Sequence, residues 1–356
     1  IVQCLVGSEM CIRDSIESDS NSANISLNFI IVDGTGRKFN YRKSKELLNK
    51  SKLEVKEVIE NTIFQLYTVY FEACRLIEEQ NIYKGNLEIS KTRLNRKKLE
   101  QEYGQSTSLE VLNAEVDFKN DSINYLNTIS NLSNVKRDLN LIMNVDSEKM
   151  YDLVTEVDFL NFDELNDAYK NAQENNTSLK IDDKNIAISK NEMRATKSTY
   201  LPTIGLVGSY GWNESINNNP YAFFNENINQ GFSGGINLSW DIFNSGRKII
   251  VNKNAKINYE NSKIEKERRI NLFFNELNNL YQTHTNNLYI FEVQIKNLET
   301  NKLNFERNLE QYNLGQLSSI QFRDAQLKLQ RAELQKNSSK YNTCLLYTSD
   351  AADEPL

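Results

Sequence analysis

The sequence predicts a mainly helical protein that also contains a few β-strands. It has 356 residues but only 13 glycines and 3 prolines, where an average chain of this length would have roughly 25 and 18. Residues 37–102 and 247–314 together contain Gly85 as their only glycine and no proline. Three shorter stretches alternate apolar and polar residues with the period of a strand. Long helices joined to a few strands are therefore expected.

The chain contains an internal duplication. The stretch beginning at Ile25 matches the one beginning at Ile236, and both lead into Gly-Arg-Lys, at residues 36–38 and 246–248, with one residue slipped at the turn. The stretch at residues 103–115 likewise matches residues 314–326. Both matches share a spacing of about 210 residues, which indicates a duplicated structural half and not a short solenoid repeat.

The alternating stretches predict strands at residues 25–32, 203–212 and 233–243. In each, apolar and aromatic side chains occupy one face, and the other face carries mostly small or polar side chains. This alternation is typical of half-buried strands. It occurs both in a soluble sandwich and in a membrane barrel with an apolar outer face and a polar lumen. The strand pattern alone leaves both architectures open.

The helices are predicted to form coiled-coil hairpins. Between Ile270 and Tyr312, apolar residues recur at alternating steps of three and four, with Lys302 the main exception, which is typical of a left-handed coiled coil. Each long helix ends at a glycine that suits a C-cap, and Ser108 and Ser319 suit the N-cap of a returning helix. The predicted divisions are a first hairpin at 37–144, an equatorial segment at 145–162, a helix at 163–198 and a second hairpin at 247–343.

The two ends of the chain share no pattern with its body. Residues 1–15 and 344–356 resemble translated adapter sequence and are expected to be non-native flanks, with ordinary disordered tails as the alternative. Three of the four cysteines lie in these ends, so no disulfide framework is expected. The duplication requires a strand and a helix before residue 25, which indicates an N-terminally truncated protein.

The composition argues against an enzyme or a nucleic-acid-binding protein. There is one histidine, His284, which is expected to be a buried packing residue, and there is no glycine-rich phosphate loop. The net charge is −6 without a basic face. The mean hydropathy is −0.59, and no apolar run reaches the ~20 residues of a membrane-spanning helix. No cofactor or metal site is expected.

Over about residues 20–343 the chain resembles the outer membrane efflux protein family, the TolC-like channel-tunnels. The resemblance lies in Leu201-Pro202 entering a strand, INLSWDIFNSGRK (236–248) opening a long helix, and Tyr312-x-x-Gly315 followed by residues 320–325. It implies a homotrimer in which each protomer gives four strands to a 12-stranded outer-membrane β-barrel. The long helices would form an α-barrel that extends into the periplasm.

The resemblance implies a passive channel rather than an enzyme, namely the exit duct of a tripartite efflux or type I secretion system. Its partners would be a periplasmic adaptor (membrane fusion) protein, an inner-membrane pump and outer-membrane lipid. Because the pump selects the cargo, drug, metal and protein export all remain open. The alternative function is an extracellular or periplasmic trimeric coiled-coil protein such as an adhesin, which would not need duplicated strands.

The resemblance also assigns roles to three groups of residues. The hairpin tips would contact the adaptor, although simple capped turns are an alternative interpretation. These tips are Gly104, Gln105, Ser106, Thr107 and Ser108 in one repeat and Gly315, Gln316, Leu317, Ser318 and Ser319 in the other. The junctions between strand and helix are marked by Gly36, Arg37, Gly246 and Arg247, where glycine permits an unusual φ and arginine can cap or snorkel.

The third group is a candidate periplasmic gate just beyond the second tip, formed by Tyr312, Gln321 and Asp324. Three copies of Asp324 in a trimer would form one ring that attracts cations. Gln321 stands where an acid is common in the family, so a second ring is not supported. A solvated Asp324 on a helix surface is the alternative.

Overall fold

The computed structural model describes residues 18–156, 172–217 and 226–351, with side chains described as far as Cys344. The predicted flank at 1–15, residues 157–162 of the equatorial segment and residues 163–171 of the following helix lie outside the described residues. The chain forms two compact units. One comprises Ile1–Leu47 with Ile186–Ser262, and the other Leu48–Asn185 with Lys263–Leu356.

The first unit contains a three-stranded antiparallel sheet. Its strands, β1 (Ser18–Val32), β2 (Thr203–Asn217) and β3 (Glu226–Ser239), lie in sequence order. β1 begins earlier and β2 ends later than the alternation predicts, and β3 begins and ends earlier. Apolar alternation marks only the part of a strand with an apolar face, whereas backbone pairing continues into polar sequence.

The two faces of the sheet differ sharply. Ile25 lies opposite Tyr210, which lies opposite Phe232, so apolar side chains line up across the strands. One position along, Ser26, Ser209 and Ser233 line up on the other face. The register therefore gives the sheet one apolar and one small, polar face.

The helices account for most of the chain, so the predicted fold class, mainly α with a few β-strands, is confirmed. They are α1 (Gly36–Glu102), α2 (Ser108–Ile142), α3 (Thr177–Thr196), α4 (Arg247–Asn313) and α5 (Ser319–Ala351). Helix α5 continues into the sequence predicted to be a flank, as far as Ala351. None of the helices in the described part of the chain has both the length and the apolarity needed to cross a bilayer.

The helical unit is held together by small apolar clusters and not by one large core. One cluster contains Phe71 and Tyr341, another Leu76 and Leu132. A third is aromatic and joins α4 to α5 near the second tip. Such narrow clusters are typical of coiled-coil seams, where each helix buries only one stripe.

Buried polar contacts add specificity to these seams. Arg323 of α5 donates two hydrogen bonds to Asp121 of α2, from Nη1 to Oδ2 at 2.7 Å and from Nη2 to Oδ1 at 2.8 Å. Asp121 is 1% exposed and also accepts a hydrogen bond from Ser90 of α1. Next to it, Arg93 of α1 pairs with Asp117 of α2. This group, the buried ionic cluster of Ser90, Arg93, Asp117, Asp121 and Arg323, joins three helices.

The described part of the equatorial segment, residues 145–156, is held by side chains that bind its backbone. Asn140, which is 1% exposed, donates from Nδ2 to the carbonyls of Ser147 at 2.9 Å and Lys149 at 3.1 Å. The hydroxyl of Tyr70 donates to the carbonyl of Val154 at 2.9 Å, and that of Tyr341 to the carbonyl of Thr155 at 3.1 Å. Helices α1, α2 and α5 thus all hold this segment.

The buried ionic cluster predicts a stability effect. Replacing Asp121→Asn leaves the buried arginines Arg93 and Arg323 with Asp117 as their one remaining carboxylate in the cluster. One buried positive charge is then uncompensated, so the free energy of unfolding should fall by about 3–5 kcal/mol. Denaturant unfolding of the detergent-solubilised protein measures this. The matched control is Asp138→Asn, an exposed position on the same helix, which should change the stability by no more than ~0.5 kcal/mol. Equal, small losses in both variants would contradict the assignment.

Candidate functional site

The two hairpin tips have the same backbone geometry. Gly104 and Gly315 both have φ of +74°, the left-handed conformation that glycine adopts without strain. In the first tip the N–H of Gln105 donates to the carbonyl of Glu100 at 2.7 Å and that of Gly104 to Gln101 at 2.9 Å. The same pair of bonds recurs in the second tip at 2.9 and 3.1 Å. Both tips are therefore Schellman motifs.

The helices that return from the tips are capped by hydroxyl groups. Thr107 Oγ1 accepts from the backbone N–H of Glu110 at 3.3 Å, and Ser318 Oγ accepts from that of Gln321 at 3.3 Å. The N–H of Ser318 donates to Gln321 Oε1 at 3.2 Å, which completes a capping box. The N-cap residues are therefore Thr107 and Ser318, each one residue before the predicted Ser108 and Ser319. An N-cap residue keeps an extended backbone, with φ −86° and ψ 155° at Thr107, so the helix begins at the serine that follows it.

The tips differ in charge. In the first tip Ser106 donates to Glu110 Oε2 at 2.6 Å, and Lys97 Nζ lies 3.4 Å from the same oxygen. These contacts, the Ser106 hydrogen bond foremost, lower the pKa of Glu110. In the second tip the matching position is the neutral Gln321. One tip thus carries an ionised carboxylate where the other has an amide.

Apolar side chains flank both tips in the same places. Tyr103 is 74% exposed and Leu109 66%, and their counterparts Leu314 and Ile320 are 67% and 73% exposed. Between them, the tip residues are exposed or half-buried. Each tip therefore presents two apolar side chains, one on each side of a rigid, capped turn.

The three gate candidates are not joined to one another. Tyr312 is 6% exposed, and its ring stacks on Phe322 with centroids 4.6 Å apart and planes at 14°. Gln321 is engaged in the cap. Asp324 is exposed and forms an ion pair with Lys328 at 2.7 Å. Within the described residues, no hydrogen bond or ion pair connects any two of the three.

Arg96 also lies in this region, although it is not among the residues predicted from the sequence. Its guanidinium carbon lies 4.8 Å from the centroid of the Tyr312 ring, and its Nη1 donates to Asn313 Oδ1 at 3.1 Å. It thus connects the first hairpin to the second. No sequence signal marks it, because the contact joins residues more than two hundred positions apart.

The junctions between strand and helix share one backbone motif. Gly34 and Thr35 have φ of +61° and +79° before α1, and Ser245 and Gly246 have φ of +55° and +78° before α4. These pairs are 211 residues apart (34 to 245), the same spacing as the tip glycines (104 to 315). The one-residue slip in the sequence match therefore disappears, and the counterpart of Gly246 is Thr35, not Gly36.

The side chains of the junctions follow the same spacing. Asp33 Oδ2 accepts from the backbone N–H of Arg37 at 2.5 Å, and Asn244 Oδ1 accepts from that of Lys248 at 3.3 Å. The side chains of Arg37 and Lys248 each donate to the backbone carbonyl seven residues earlier, at Ile30 near the end of β1 and at Asp241 two residues after the end of β3. In the second junction this contact is made by Lys248, the residue after Arg247.

Gly36 is needed for space and not for an unusual φ. A Cβ on Gly36 would lie 2.7 Å from Ser198 Oγ, too close for any larger residue without a shift. Gly34 combines both needs, since its φ is positive and a Cβ would lie 2.7 Å from Leu201 Cβ. The two glycines let this turn pack against residues 198–201.

His284 lies on α4 and is 7% exposed. Burial lowers its pKa below the ordinary value, which favours the neutral imidazole. Its Nδ1 makes no hydrogen bond in the described part of the chain. This arrangement fits a packing residue.

The apolar face of the sheet has the extent of a membrane-facing band. Along β2 it runs from Ile204 through Leu206 and Tyr210 to Trp212, interrupted by Gly208. These nine positions match the 9–11 residues that a tilted barrel strand uses to cross a bilayer. Beyond Trp212 the same face becomes polar at Glu214. The sheet can therefore expose apolar side chains to lipid over a limited band.

Comparisons with known proteins agree with this geometry. The sequence model of the family described as outer membrane efflux protein matches residues 168–344. No curated protein matches the chain. Among solved structures, the outer membrane protein VceC of Vibrio cholerae aligns with a TM-score of 0.78 at 9% identity, covering 95% of this chain and 86% of VceC.

Two further channels align in the same way. The CmeC outer membrane channel of Campylobacter jejuni gives a TM-score of 0.77 at 14% identity, covering 95% of this chain and 77% of CmeC. The open state of the MtrE outer membrane channel of Neisseria gonorrhoeae gives 0.73 at 13% identity, covering 95% and 79%. At these identities the alignments establish the fold, and the family match adds the relationship. The chain therefore belongs to the outer membrane efflux protein family, whose members are passive channels of the outer membrane that extend into the periplasm.

Proposed function

We propose that the chain is one protomer of a trimeric duct that forms the outer-membrane exit of a tripartite efflux or type I secretion system. In this proposal a periplasmic adaptor binds the hairpin tips, and an inner-membrane pump drives cargo through the adaptor into the duct. The observation that carries the proposal is the pair of equivalent tips, each with two exposed apolar side chains on a capped turn.

The tips are suited to contact a partner protein. Leaving Tyr103, Leu109, Leu314 and Ile320 in water is unfavourable, and burying each against a partner would gain roughly 1.5–3 kcal/mol. The Schellman motif and the hydroxyl cap fix the backbone of each tip, so little conformational entropy is lost on binding. The small residues between the apolar pairs let a partner backbone approach closely.

The unpaired sheet edges and the exposed apolar side chains of a single chain support a trimer. β1 and β3 are the edges of the described sheet, and unpaired edges are not tolerated in lipid unless neighbouring strands close a barrel. In the helical unit, Val55, Ile59, Ile264 and Leu272 are each more than half exposed. Neighbouring protomers would cover these side chains.

The polar face of the sheet is suited to line a water-filled lumen. Ser26, Ser209 and Ser233 form a row there, and Asn28 lies on the same face. Such side chains hold water without binding a particular cargo. Selection among drugs, metal ions and proteins would then depend on the pump.

The proposed adaptor contact predicts a loss of binding when the tips become polar. The double variant Leu109→Gln with Ile320→Gln removes one apolar side chain from each tip, and adaptor affinity should fall by at least about tenfold, since each buried side chain contributes 1.5 kcal/mol or more. Surface plasmon resonance with the purified cognate adaptor measures this.

The control for this experiment is Leu126→Gln. Leu126 is 61% exposed and lies on α2, away from the tip, so its replacement should leave the affinity unchanged. An affinity that is equally low in both variants, or unchanged in the double variant, would count against the tips as the adaptor site.

The proposed cation ring predicts altered conduction when Asp324 is replaced. The Asp324–Lys328 pair is exposed and contributes little energy, so the carboxylate is available to ions. Rings of acidic side chains attract cations in channels. Asp324→Ala should raise the single-channel conductance or weaken block by divalent cations in planar bilayers. Asp138→Ala, an exposed acid on α2, is the control, and identical recordings from Asp324→Ala and the unmodified protein would exclude the ring.

A further inference from the structure

The charged residues of the first compact unit are sorted to its two ends. The three strands contain no lysine or arginine, and their carboxylates, Asp19, Glu214 and Glu226, lie at the end of the sheet farthest from the helices. The helical segments of the same unit, residues 36–47, 186–200 and 247–262, contain twelve lysines and arginines but only three glutamates. These segments therefore carry a net charge of +9, in a chain whose net charge is −6.

Six of these cations form two matching stripes, which we call the basic patch. In each stripe the residues are spaced by four and then three positions, so they lie on one face of their helix. All six are exposed. They are Lys38, Arg42 and Lys45 of α1, and Lys190, Arg194 and Lys197 at the end of α3 and in the turn after it.

The two stripes lie beside each other. The guanidinium carbons of Arg42 and Arg194 are each 5.8 Å from the centroid of one ring, that of Phe39, and are therefore at most 11.6 Å apart. The adjacent Lys43 of α1 pairs with Glu192 of α3 at 3.1 Å across the same two helices. The one glutamate of the α3 segment is thus already engaged by a cation outside the patch.

The basic patch corrects the expectation that the chain has no basic face. Its two stripes are separated by 145 residues along the chain (45 to 190), and folding brings them together. The aspartates of the junctions do not cancel its charge, because Asp33 and Asp241 pair with Arg37 and Lys248, which also lie outside the patch. The excess positive charge is left for an external anion.

Aromatic side chains mark the level of the patch relative to the membrane. Trp240 Nε1 donates at 3.2 Å to the carbonyl of Tyr200, three residues after Lys197. Both aromatic side chains are exposed, as is that of Tyr41 next to Arg42. Exposed Trp and Tyr residues beside an apolar band occupy the headgroup region of a bilayer. The patch therefore begins at headgroup level, on the helical and hence periplasmic side of the sheet.

The patch also has the depth of a headgroup layer. The seven residues from Lys38 to Lys45 rise by about 10 Å along α1. The headgroup region adds roughly 5–8 Å to each side of the hydrocarbon core, and lysine and arginine side chains extend along a surface to place their charge. All levels of the patch are thus within reach of lipid phosphates.

We infer that the basic patch binds the phosphate groups of anionic phospholipids, such as phosphatidylglycerol, in the periplasmic leaflet of the outer membrane. The inference needs the sheet to lie in the membrane, but it does not need the proposed efflux function. Lysine and arginine near a membrane surface attract anionic lipids, and arginine binds phosphate through charge-assisted hydrogen bonds. A lipid surface fits better than the peptidoglycan of the cell wall, because the patch is continuous with the apolar band and its exposed aromatic residues.

Tryptophan fluorescence tests this inference, because the two tryptophans of the chain lie near opposite ends of the apolar band. Trp212→Phe leaves Trp240 as a reporter beside the patch, and Trp240→Phe leaves Trp212 as a reporter at the far end, near Glu214. The assembled protein is reconstituted into phosphatidylcholine vesicles that contain a minor fraction of phosphatidylglycerol. Bromine atoms on the acyl chains of one lipid or the other then report, by quenching, which lipid surrounds each tryptophan.

Phosphatidylglycerol should be enriched over phosphatidylcholine around Trp240 by about fivefold, the factor that corresponds to ~1 kcal/mol for one basic side chain at the surface. The enrichment should decrease when the salt concentration is raised from about 0.15 M to about 1 M, because salt screens the charges. Around Trp212 the two lipids should be present in the proportions of the vesicle.

The patch variant replaces four of the six cations by glutamine and should abolish the enrichment around Trp240. Its changes are Lys38→Gln, Arg42→Gln, Arg194→Gln and Lys197→Gln. The matched control makes the same change in net charge at four exposed lysines of the other compact unit and should keep the enrichment. Its changes are Lys91→Gln, Lys98→Gln, Lys119→Gln and Lys302→Gln.

A smaller variant, Arg42→Gln with Arg194→Gln, covers the case in which the patch variant does not assemble. It removes only the two guanidinium groups next to Phe39 and should give an intermediate enrichment. The salt dependence of the protein with the full patch needs no change to the patch at all, so it decides the point independently of folding.

The outcomes separate the inference from its alternatives. An enrichment that salt does not change, or that the patch variant keeps, overturns the inference, as does an equal loss in the control variant. Binding of the detergent-solubilised protein to purified peptidoglycan, lost in the patch variant and without any lipid preference, would assign the patch to the cell wall instead. A protein that shows the lipid preference but exports nothing supports the inference and counts against the proposed function alone.

Discussion

The arrangement of the helical unit depends on the buried pair of Asp121 and Arg323. The apolar clusters along the helices are small and similar to one another, and apolar seams of this kind tolerate a shift of one helix past another by one turn. A bidentate pair between buried groups does not, because a shift would leave both charges unpaired in a medium of low dielectric constant. Ser90 and the Arg93–Asp117 pair extend the same restraint to α1. The tips can lie at a fixed level only if the helices behind them keep their register.

The two halves of the chain share their backbone conformation more than the identity of their side chains. The tips keep the same Schellman bonds and the same hydroxyl caps, and the junctions keep two consecutive residues with positive φ, all at one spacing of 211 residues (104 to 315, 34 to 245). The side chains that would act on ions or partners differ between the halves. Glu110 corresponds to Gln321, and Tyr312 corresponds to Gln101. The fold is duplicated, while the contacts around the entrance belong to one half or the other.

The sequence predicts those parts of this structure that depend on residues close together along the chain. Missing glycine and proline, the three-and-four spacing and the glycines before hydroxyl residues are local signals, and they identify the helices, the hairpins and the turn residues. Caps are misplaced by one residue because the hydroxyl alone does not show where the extended backbone ends. The polar ends of β1 and β2 are missed because apolar alternation stops before backbone pairing does.

Contacts between hairpins are beyond such reasoning. Arg96 and Tyr312, or Asp121 and Arg323, meet because of how helices more than two hundred residues apart cross, and no spacing within either helix encodes that crossing. The Gly-Arg-Lys match shows a related difficulty. Identical letters align Gly36 with Gly246, whereas the backbone angles align Thr35 with Gly246. At a turn, conformation is inherited more faithfully than residue identity.

The way the chain holds residues 145–156 has a practical consequence. Asn140, Tyr70 and Tyr341 bind this segment through its carbonyl oxygens, which every amino acid supplies. Met150 and Val154 point their side chains to the surface, 82% and 67% exposed. The contacts to the carbonyl oxygens do not involve these two exposed side chains, so positions 150 and 154 offer places to attach a fluorophore or an affinity group to the helical unit while the helices keep their packing.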